Sequence, residues 1–197
     1  LHQFSQTEEQ GKKEASIAPR GGAKTTWVSK IYPVYCVCHG LQNYILLMGE
    51  TIGQSQGNLK DVARELTSNA KLAAAYPQIC GEGSVWNVDE IITRNNIKVE
   101  AAGAGKSIRG KSHGPHRPGL VLIDDLDDKD AVRSEDHRRI MWDWFKDTLM
   151  PIGDDATNFF FVGTALNSDD TIHRVRATGE WGWKRYRALI TEPSKES

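Results

Sequence analysis

Three short runs do most to limit what this chain can fold into: NYILLMGE at 43–50, LVLID at 120–124 and NFFFVGT at 158–164. Their apolar residues are consecutive. Successive strand side chains point to opposite faces, so such strands must be covered on both sides, as in parallel sheets. Between them lie segments of helical period. GQSQGNLKDVARELTSN places Leu59, Val62, Ala63 and Leu66 on one face. SEDHRRIMWDWFKDTLM, residues 134–150, opens on Ser134 as a cap, with Glu135 and Asp136 in the first turn. Its stripe is Met141, Trp142, Phe145 and Leu149. Alternating strands and helices predict a three-layer α/β fold around a mostly parallel sheet. A length of 197 residues suits one domain.

The other segments are less regular. Residues 1–14 are polar and read as a lead-in turn or short helix. SIAP, residues 16–19, reads as the end of a buried strand, and TTWVSKIYPVYCVC as a helix that Pro33 kinks or divides. VDEIITRNNIKVEAA, residues 88–102, predicts a hairpin turning at Asn95 and Asn96. Residues 70–86 fit no single element. RYRALI, residues 185–190, predicts a further strand. Trp142 is expected in the core and Trp144 on a different face; Trp181 and Trp183 are expected at a sheet edge.

The formal net charge is -1, yet residues 94–117 hold six Lys/Arg and one Glu, and residues 124–130 hold five Asp. Fields are therefore local. Cys36, Cys38 and Cys80 lack metal-ligand spacing and read as reduced core residues. No apolar run approaches 18 residues and no signal peptide opens the chain, so a soluble, cytoplasmic protein is expected.

Two stretches compete as a phosphate-binding loop. Such a loop follows a strand, wraps phosphates with backbone N–H groups and ends in a helix whose first turn carries Lys and Ser/Thr. GAGKSIRG, residues 103–110, has Gly105, Lys106 and Ser107, but Gly110, Gly114 and Pro115 prevent a helix after it. IAPRGGAKTT, residues 17–26, keeps strand, turn and helix in order, although Ala18 and Ala23 stand where a strict pattern has Gly. The assignment therefore falls on Pro19, Arg20, Gly21, Gly22, Ala23, Lys24, Thr25 and Thr26. Lys24 is the candidate phosphate lysine and Thr25 the candidate magnesium hydroxyl. LVLIDD supplies the acidic partner. A buried strand ending in Asp124 presents a carboxylate that can hold magnesium, and Asp125 can orient or deprotonate water. Gly163 and Thr164 end another core strand, where Thr164 can sense a terminal phosphate.

Together, APRGGAKTT at 18–26, GETIGQSQGNLKDVARELTSN at 49–69, IRGKSHGPHRPGLVLIDDLDD at 108–128, VRSEDHRRIMWDWFKDTLMP at 132–151 and VGTALNSDD at 162–170 resemble the large subunit of a tailed-bacteriophage or prophage terminase. The resemblance implies an additional-strand, RecA-like P-loop ATPase domain spanning 1–197, with the family's nuclease domain beyond it. It implies ATP and Mg2+ as ligands, with Arg20 as the loop arginine, Lys24 as phosphate lysine, Thr25 and Asp124 at magnesium, Asp125 as catalytic carboxylate and Gly163–Thr164 as the coupling motif. Asp125 stands where the family often has Glu.

The resemblance further implies double-stranded DNA, a small terminase subunit and a capsid portal protein as partners, and a homo-oligomeric ring on the procapsid in the host cytoplasm. Arg20 and Arg109 are candidates for a charge-neutralising arginine. Segment 94–117 and Arg174, Arg176, Lys184, Arg185 and Arg187 are candidates for contact with the DNA backbone. A helicase-like motor and a non-catalytic nucleic-acid-binding module are the alternative readings.

Overall fold

Strands β2 (Tyr44–Gly49) and β6 (Leu120–Asp124) are buried at every position, as two-sided apolar runs require. They pair in parallel, Ile45 opposite Leu120 through Gly49 opposite Asp124. The computed structural model describes residues 10–108 and 110–187. Residues 1–9, Arg109 and residues 188–197, including the end of RYRALI, lie outside the described residues. Among the described residues the other strands are β1 (Lys13–Ile17), β3 (Val85–Trp86), β4 (Glu90–Ile92), β5 (Lys98–Gly103), β7 (Asn158–Gly163) and β8 (Gly182–Arg185). The sheet order is β3-β4-β5-β2-β6-β7-β1-β8. All neighbours from β5 to β8 are parallel; β3 and β4 add an antiparallel edge.

Helices cover both faces, which gives the expected three-layer α/β architecture with a mostly parallel sheet. On one face, Val28, Tyr32 and Val37 pack with Leu59, Val62 and Leu66 over Ile45, Leu47, Leu120 and Leu122. These come from α1 (Tyr32–His39), the turns before it, and α2 (Ile52–Ser68). On the other face, Phe145, Leu149, Ile172 and Trp181 cover Leu46, Met48, Ile123 and Phe161. Phe145 and Leu149 come from the π turns that follow α4 (Glu135–Trp144), and Ile172 from α5 (Thr171–Ala177). Residues 70–86, which fit no single element in sequence, hold α3 (Ala70–Ala75) and β3.

Several expectations are refined. The polar lead-in contributes Lys13 and Glu14 to β1. Next to Pro33 the helical run divides into two pieces of different pitch without ending. Wide π-helical turns over Thr26–Ile31 run directly into α1, with the proline in the first turn of α1, where its missing N–H costs least. The 134–150 helix has the Ser134 cap, which accepts from the His137 N–H at 3.4 Å, but widens into π turns over Phe145–Leu149. Trp142 is half-buried rather than core and stacks on Phe145 with centroids 5.6 Å apart. Trp181 is in the core, and Trp183 lies on β8 (Gly182–Arg185), which takes in Arg185 of RYRALI; residues 188–190 of that stretch lie outside the described residues. The hairpin turns as expected, with Asn96 at φ 60°.

The return from β5 to β6 uses no helix. Glycines and prolines in 104–119 forbid one, so an irregular strand of chain crosses the face, pinned by buried Ile108 and by Arg117, which donates to the Pro151 and Gly153 carbonyls at 3.0 and 3.1 Å. At its far end Lys111 reaches Glu100, a buried carboxylate that also accepts from the Tyr44 hydroxyl and sits 2.9 Å from Lys98. Burial pushes the Glu100 carboxyl up, but Lys111, Tyr44 and Lys98 outweigh it and leave it below the usual range.

Gly103 ends β5 against the start of α2. A Cβ there would come 2.5 Å from the Ile52 nitrogen and 3.0 Å from the Thr51 carbonyl carbon. Gly103→Ala is therefore expected to lower unfolding free energy by about 1–3 kcal/mol. Gly57→Ala, in open space on α2, is expected to raise it by up to about 1 kcal/mol. Denaturant titration of both variants checks the contrast.

Candidate functional site

The carboxyl ends of β2, β6, β7 and β1 converge on one edge of the sheet, where open parallel sheets bind ligands. The segment 18–23 leaves β1 there. Its first N–H, from Ala18, donates to the Gly163 carbonyl at 3.1 Å, and the Gly22 N–H closes a turn on Pro19 O at 3.2 Å. Gly21 and Ala23 both have positive φ, 79° and 54°. Alanine at that conformation costs about 1–2 kcal/mol, so the position that a strict phosphate loop fills with Gly keeps the backbone Gly would adopt. Pro19 is half-buried; Arg20, Gly21, Gly22, Ala23 and Thr26 are exposed. Helical turns begin at Lys24, and Thr25 makes no side-chain cap bond. An exposed glycine-rich turn thus leads into a helix N-terminus.

Lys24 points back over the sheet edge. Its Nζ donates to Thr164 Oγ1 at 2.8 Å and lies 3.8 Å from Asp125 Oδ2, and its side chain is 9% exposed. Asp125 Oδ1 accepts from the Thr164 N–H at 2.7 Å, while the Asp125 N–H donates to Val162 O at 3.0 Å. Asp125 is held at φ 44°, the left-handed region that Asp tolerates better than most residues. Lys24, Asp125 and Thr164 therefore form a closed polar triangle across the ends of β1, β6 and β7.

Asp124 is fully buried. Its Oδ2 accepts from Ser29 Oγ at 3.2 Å, and Oδ1 has no hydrogen-bond partner among the described residues. Burial raises its carboxyl and the neighbouring Asp125 adds to the effect, against Thr25, Ser29 and Lys24. An unpartnered oxygen in a dry place is costly. A hard cation with oxygen preference would satisfy it, so Asp124 with the Thr25 hydroxyl fits a magnesium ion also held by phosphates. Among the described residues no group of three or more His, Cys, Asp and Glu is arranged to hold a metal by itself.

Two residues at this edge are absent from the sequence reading. Ser29 lies one helical turn after Thr25, a spacing that places both on one face, and could have been found from it. Glu50 follows Gly49, which pairs with Asp124. Burial, the Asp128 carboxyl and Asp125 hold Glu50 above the ordinary carboxylate range.

The other candidates lie apart. Among the described residues no helix follows Lys106, and its carbonyl accepts from Trp144 Nε1 at 2.9 Å. In the basic segment, Lys98 pairs with Glu90 and Glu100, Lys111 bonds Glu100, and Arg94 donates to Glu82 O. Lys184, Arg185 and Arg187 are exposed, whereas Arg176 lies over the Trp183 ring. Cys36, Cys38 and Cys80 are free and buried. No helix among the described residues is long and apolar enough to cross a membrane.

The chain beyond Thr164 is tied to neighbouring elements. Asp170 caps α5, accepting from the His173 N–H at 3.1 Å, and half-buried Asp127 accepts from Thr171 Oγ1 at 2.7 Å. Asp169 accepts from Arg174 Nη2 at 2.6 Å and Arg138 Nε at 3.1 Å. Those guanidiniums, Arg174 first, hold its carboxyl down at about 2.

Ala23→Gly is expected to leave stability unchanged or raise it by up to about 1 kcal/mol, because relief of strain outweighs lost backbone entropy. Ala23→Val is expected to lower it; thermal melting distinguishes the two. The Asp169 contribution is present above the unfolded pKa of about 3.9 and is lost as pH falls through the depressed folded value. Asp169→Asn should therefore melt below wild type at pH 7, the gap closing between about pH 4 and pH 2.

Compared with known proteins, the chain matches no family model and no curated sequence.

Proposed function

We propose that this chain is an Mg2+-dependent ATPase of the additional-strand, RecA-like P-loop class, working as the ATPase part of a terminase-type motor that moves double-stranded DNA into a procapsid. The observation that carries the ATPase reading is the meeting, at one sheet edge, of a glycine-rich turn at a helix start with Lys24, Thr25 and the under-satisfied carboxylate of Asp124. The strand order supports the class: β7, which Thr164 follows, stands between loop-bearing β1 and acid-bearing β6. The packaging role rests on the resemblance of the motif blocks.

In this reading the exposed turn 19–23 receives the phosphates with its backbone N–H groups, and Lys24 leaves Thr164 and Asp125 to neutralise charge on the terminal phosphate. Thr25 and Asp124 would hold magnesium, which would supply positive charge to offset that of the phosphates. The acidic edge formed by Asp125 and Glu50 faces the water side. Withdrawal of Lys24 releases one bond on Thr164, and the ties from Asp127, Asp169 and Asp170 carry that change to α4 and α5. DNA contact is to the backbone, since a translocating motor works on any sequence. The small terminase subunit, the portal protein and a ring of copies belong to the same reading, with exposed Arg20 the described candidate for neutralising charge.

Phosphate release from Mg·ATP, with and without double-stranded DNA, tests the proposal. Lys24→Ala is expected to reduce turnover by about 100-fold or more. Equal rates in wild type and variant contradict it.

A further inference from the structure

We infer that Ser29 is a positioning residue of the cation site: it donates to one oxygen of Asp124, fixes the rotation of that carboxylate, and leaves the other oxygen for a divalent cation. The inference rests on the ATPase reading and deepens it. Asp124 closes β6 opposite Gly49 of β2 and Val162 of β7, neither of which offers a polar side chain. Residues two apart on a strand share a face, so Asp124 lies on the face of Leu122. That face is covered by Val28, Tyr32 and Val37, from the helical run after the phosphate turn. In the same run Ser29 is 2% exposed, and its Oγ donates to Asp124 Oδ2 at 3.2 Å. A serine inside a helix can return its hydroxyl proton to a carbonyl of the preceding turn. Here the proton goes to a strand 95 positions along the chain. Packing alone would favour Ala at this place, because a buried hydroxyl is costly unless bonded and Ala is the better helix former.

The two other buried carboxylates show how this protein satisfies an acid that only holds structure. Asp170 has both oxygens filled: Oδ2 by the Leu166 and Asn167 N–H groups at 2.9 and 3.1 Å, Oδ1 by the His173 N–H at 3.1 Å and His173 Nδ1 at 2.7 Å. Glu100 has the Tyr44 hydroxyl and two lysines. Asp124 is 0% exposed, with the Ser29 hydroxyl on one oxygen and no hydrogen-bond partner among the described residues on the other. A carboxylate can accept about four hydrogen bonds, so one neutral bond leaves it short.

That asymmetry suits a cation ligand, with one oxygen fastened and the other open. The carboxylate cannot turn about its Cβ–Cγ bond without breaking the tie to Ser29. Groups behind a metal ligand orient it in this way, and losing one typically costs about 10–100-fold in metal affinity. The Ser29 bond involves none of Lys24, Asp125 and Thr164, so it persists when the lysine changes partners.

The test measures the affinity of a fluorescent, non-hydrolysable ATP analogue in Mg2+ and in EDTA, together with melting temperature. The proteins are wild type, Ser29→Ala, Ser29→Cys, Asp124→Asn, the Ser29→Ala/Asp124→Asn double variant and Lys24→Ala. Ser29→Ala is expected to keep its EDTA affinity within about threefold of wild type and to lose about tenfold or more of the gain that Mg2+ gives. In the Asp124→Asn background the same change should add less than about threefold, since both act through one carboxylate. A merely structural serine would lower melting and leave the Mg2+ gain intact. An unchanged gain in Ser29→Ala, or a full further loss in the double variant, overturns the role. Should Ser29→Ala fail to fold, Ser29→Cys, close in size and a poor donor, decides by the same gain: reduced supports the role, unchanged overturns it. If wild type shows no Mg2+ gain while Lys24→Ala loses the analogue, the role of Ser29 falls and phosphate binding at the turn stands. If Lys24→Ala binds like wild type, the ATPase reading falls and this inference with it.

Discussion

The triangle of Lys24, Asp125 and Thr164 is the contact on which the edge of this sheet depends. It ties the helix start that follows the turn after β1 to the ends of β6 and β7, with the 2.8 Å bond from Lys24 to Thr164 and the 2.7 Å bond from the Thr164 N–H to Asp125 as its sides. Each member leans on something further back. Lys24 starts a helix whose next turns bury Val28 and Ser29; Asp125 ends a strand buried at every position; Thr164 heads a loop tied by Asp127, Asp169 and Asp170. A cation held by a carboxylate and a hydroxyl in a nearly dry place is a poised arrangement. In the proposed reading, an anion at the turn competes with Thr164 and Asp125 for the lysine.

Much of the architecture was legible because burial on two faces leaves a plain mark. NYILLMGE, LVLID and NFFFVGT each became a strand of the parallel sheet, and the Asn95–Asn96 turn appeared where the pattern placed it. The failures have physical reasons. The helix of 25–38 changes character next to Pro33, as the proline signals, but periodicity does not reveal that the change is one of pitch, from π to α. Trp142 carries a core-like pattern on α4, yet none of the residues of that helix is fully buried. The glycine-rich crossover 104–119 was correctly denied a helix, but its anchoring by Ile108, Trp144 and Arg117 depends on partners distant in sequence.

The candidate site divides in the same way. Lys24, Thr25, Asp124, Asp125 and Thr164 were picked out because each ends a strand or starts a helix, and local signals mark such positions. Glu50 was not, because its relation to Asp125 exists only through the register of β2 on β6. Ala23 is the instructive intermediate case. Sequence flags it as a departure from glycine, while the structure shows the backbone keeping the left-handed conformation at φ 54° despite the side chain. In the basic stretch 94–117, Glu100 and Glu90 take up Lys98 and Lys111, while Lys106 stays exposed.

The central claim is that the turn after β1 holds phosphate and that Lys24 exchanges its partners for it. A crystal structure with Mg2+ and a non-hydrolysable ATP analogue tests this most directly. The account predicts the triphosphate on the turn 19–23, Lys24 Nζ moved from Thr164 to the terminal phosphate, and Asp124 Oδ1 turned toward the metal site. A nucleotide bound elsewhere, or Lys24 still bonded to Thr164 with the analogue present, would contradict it.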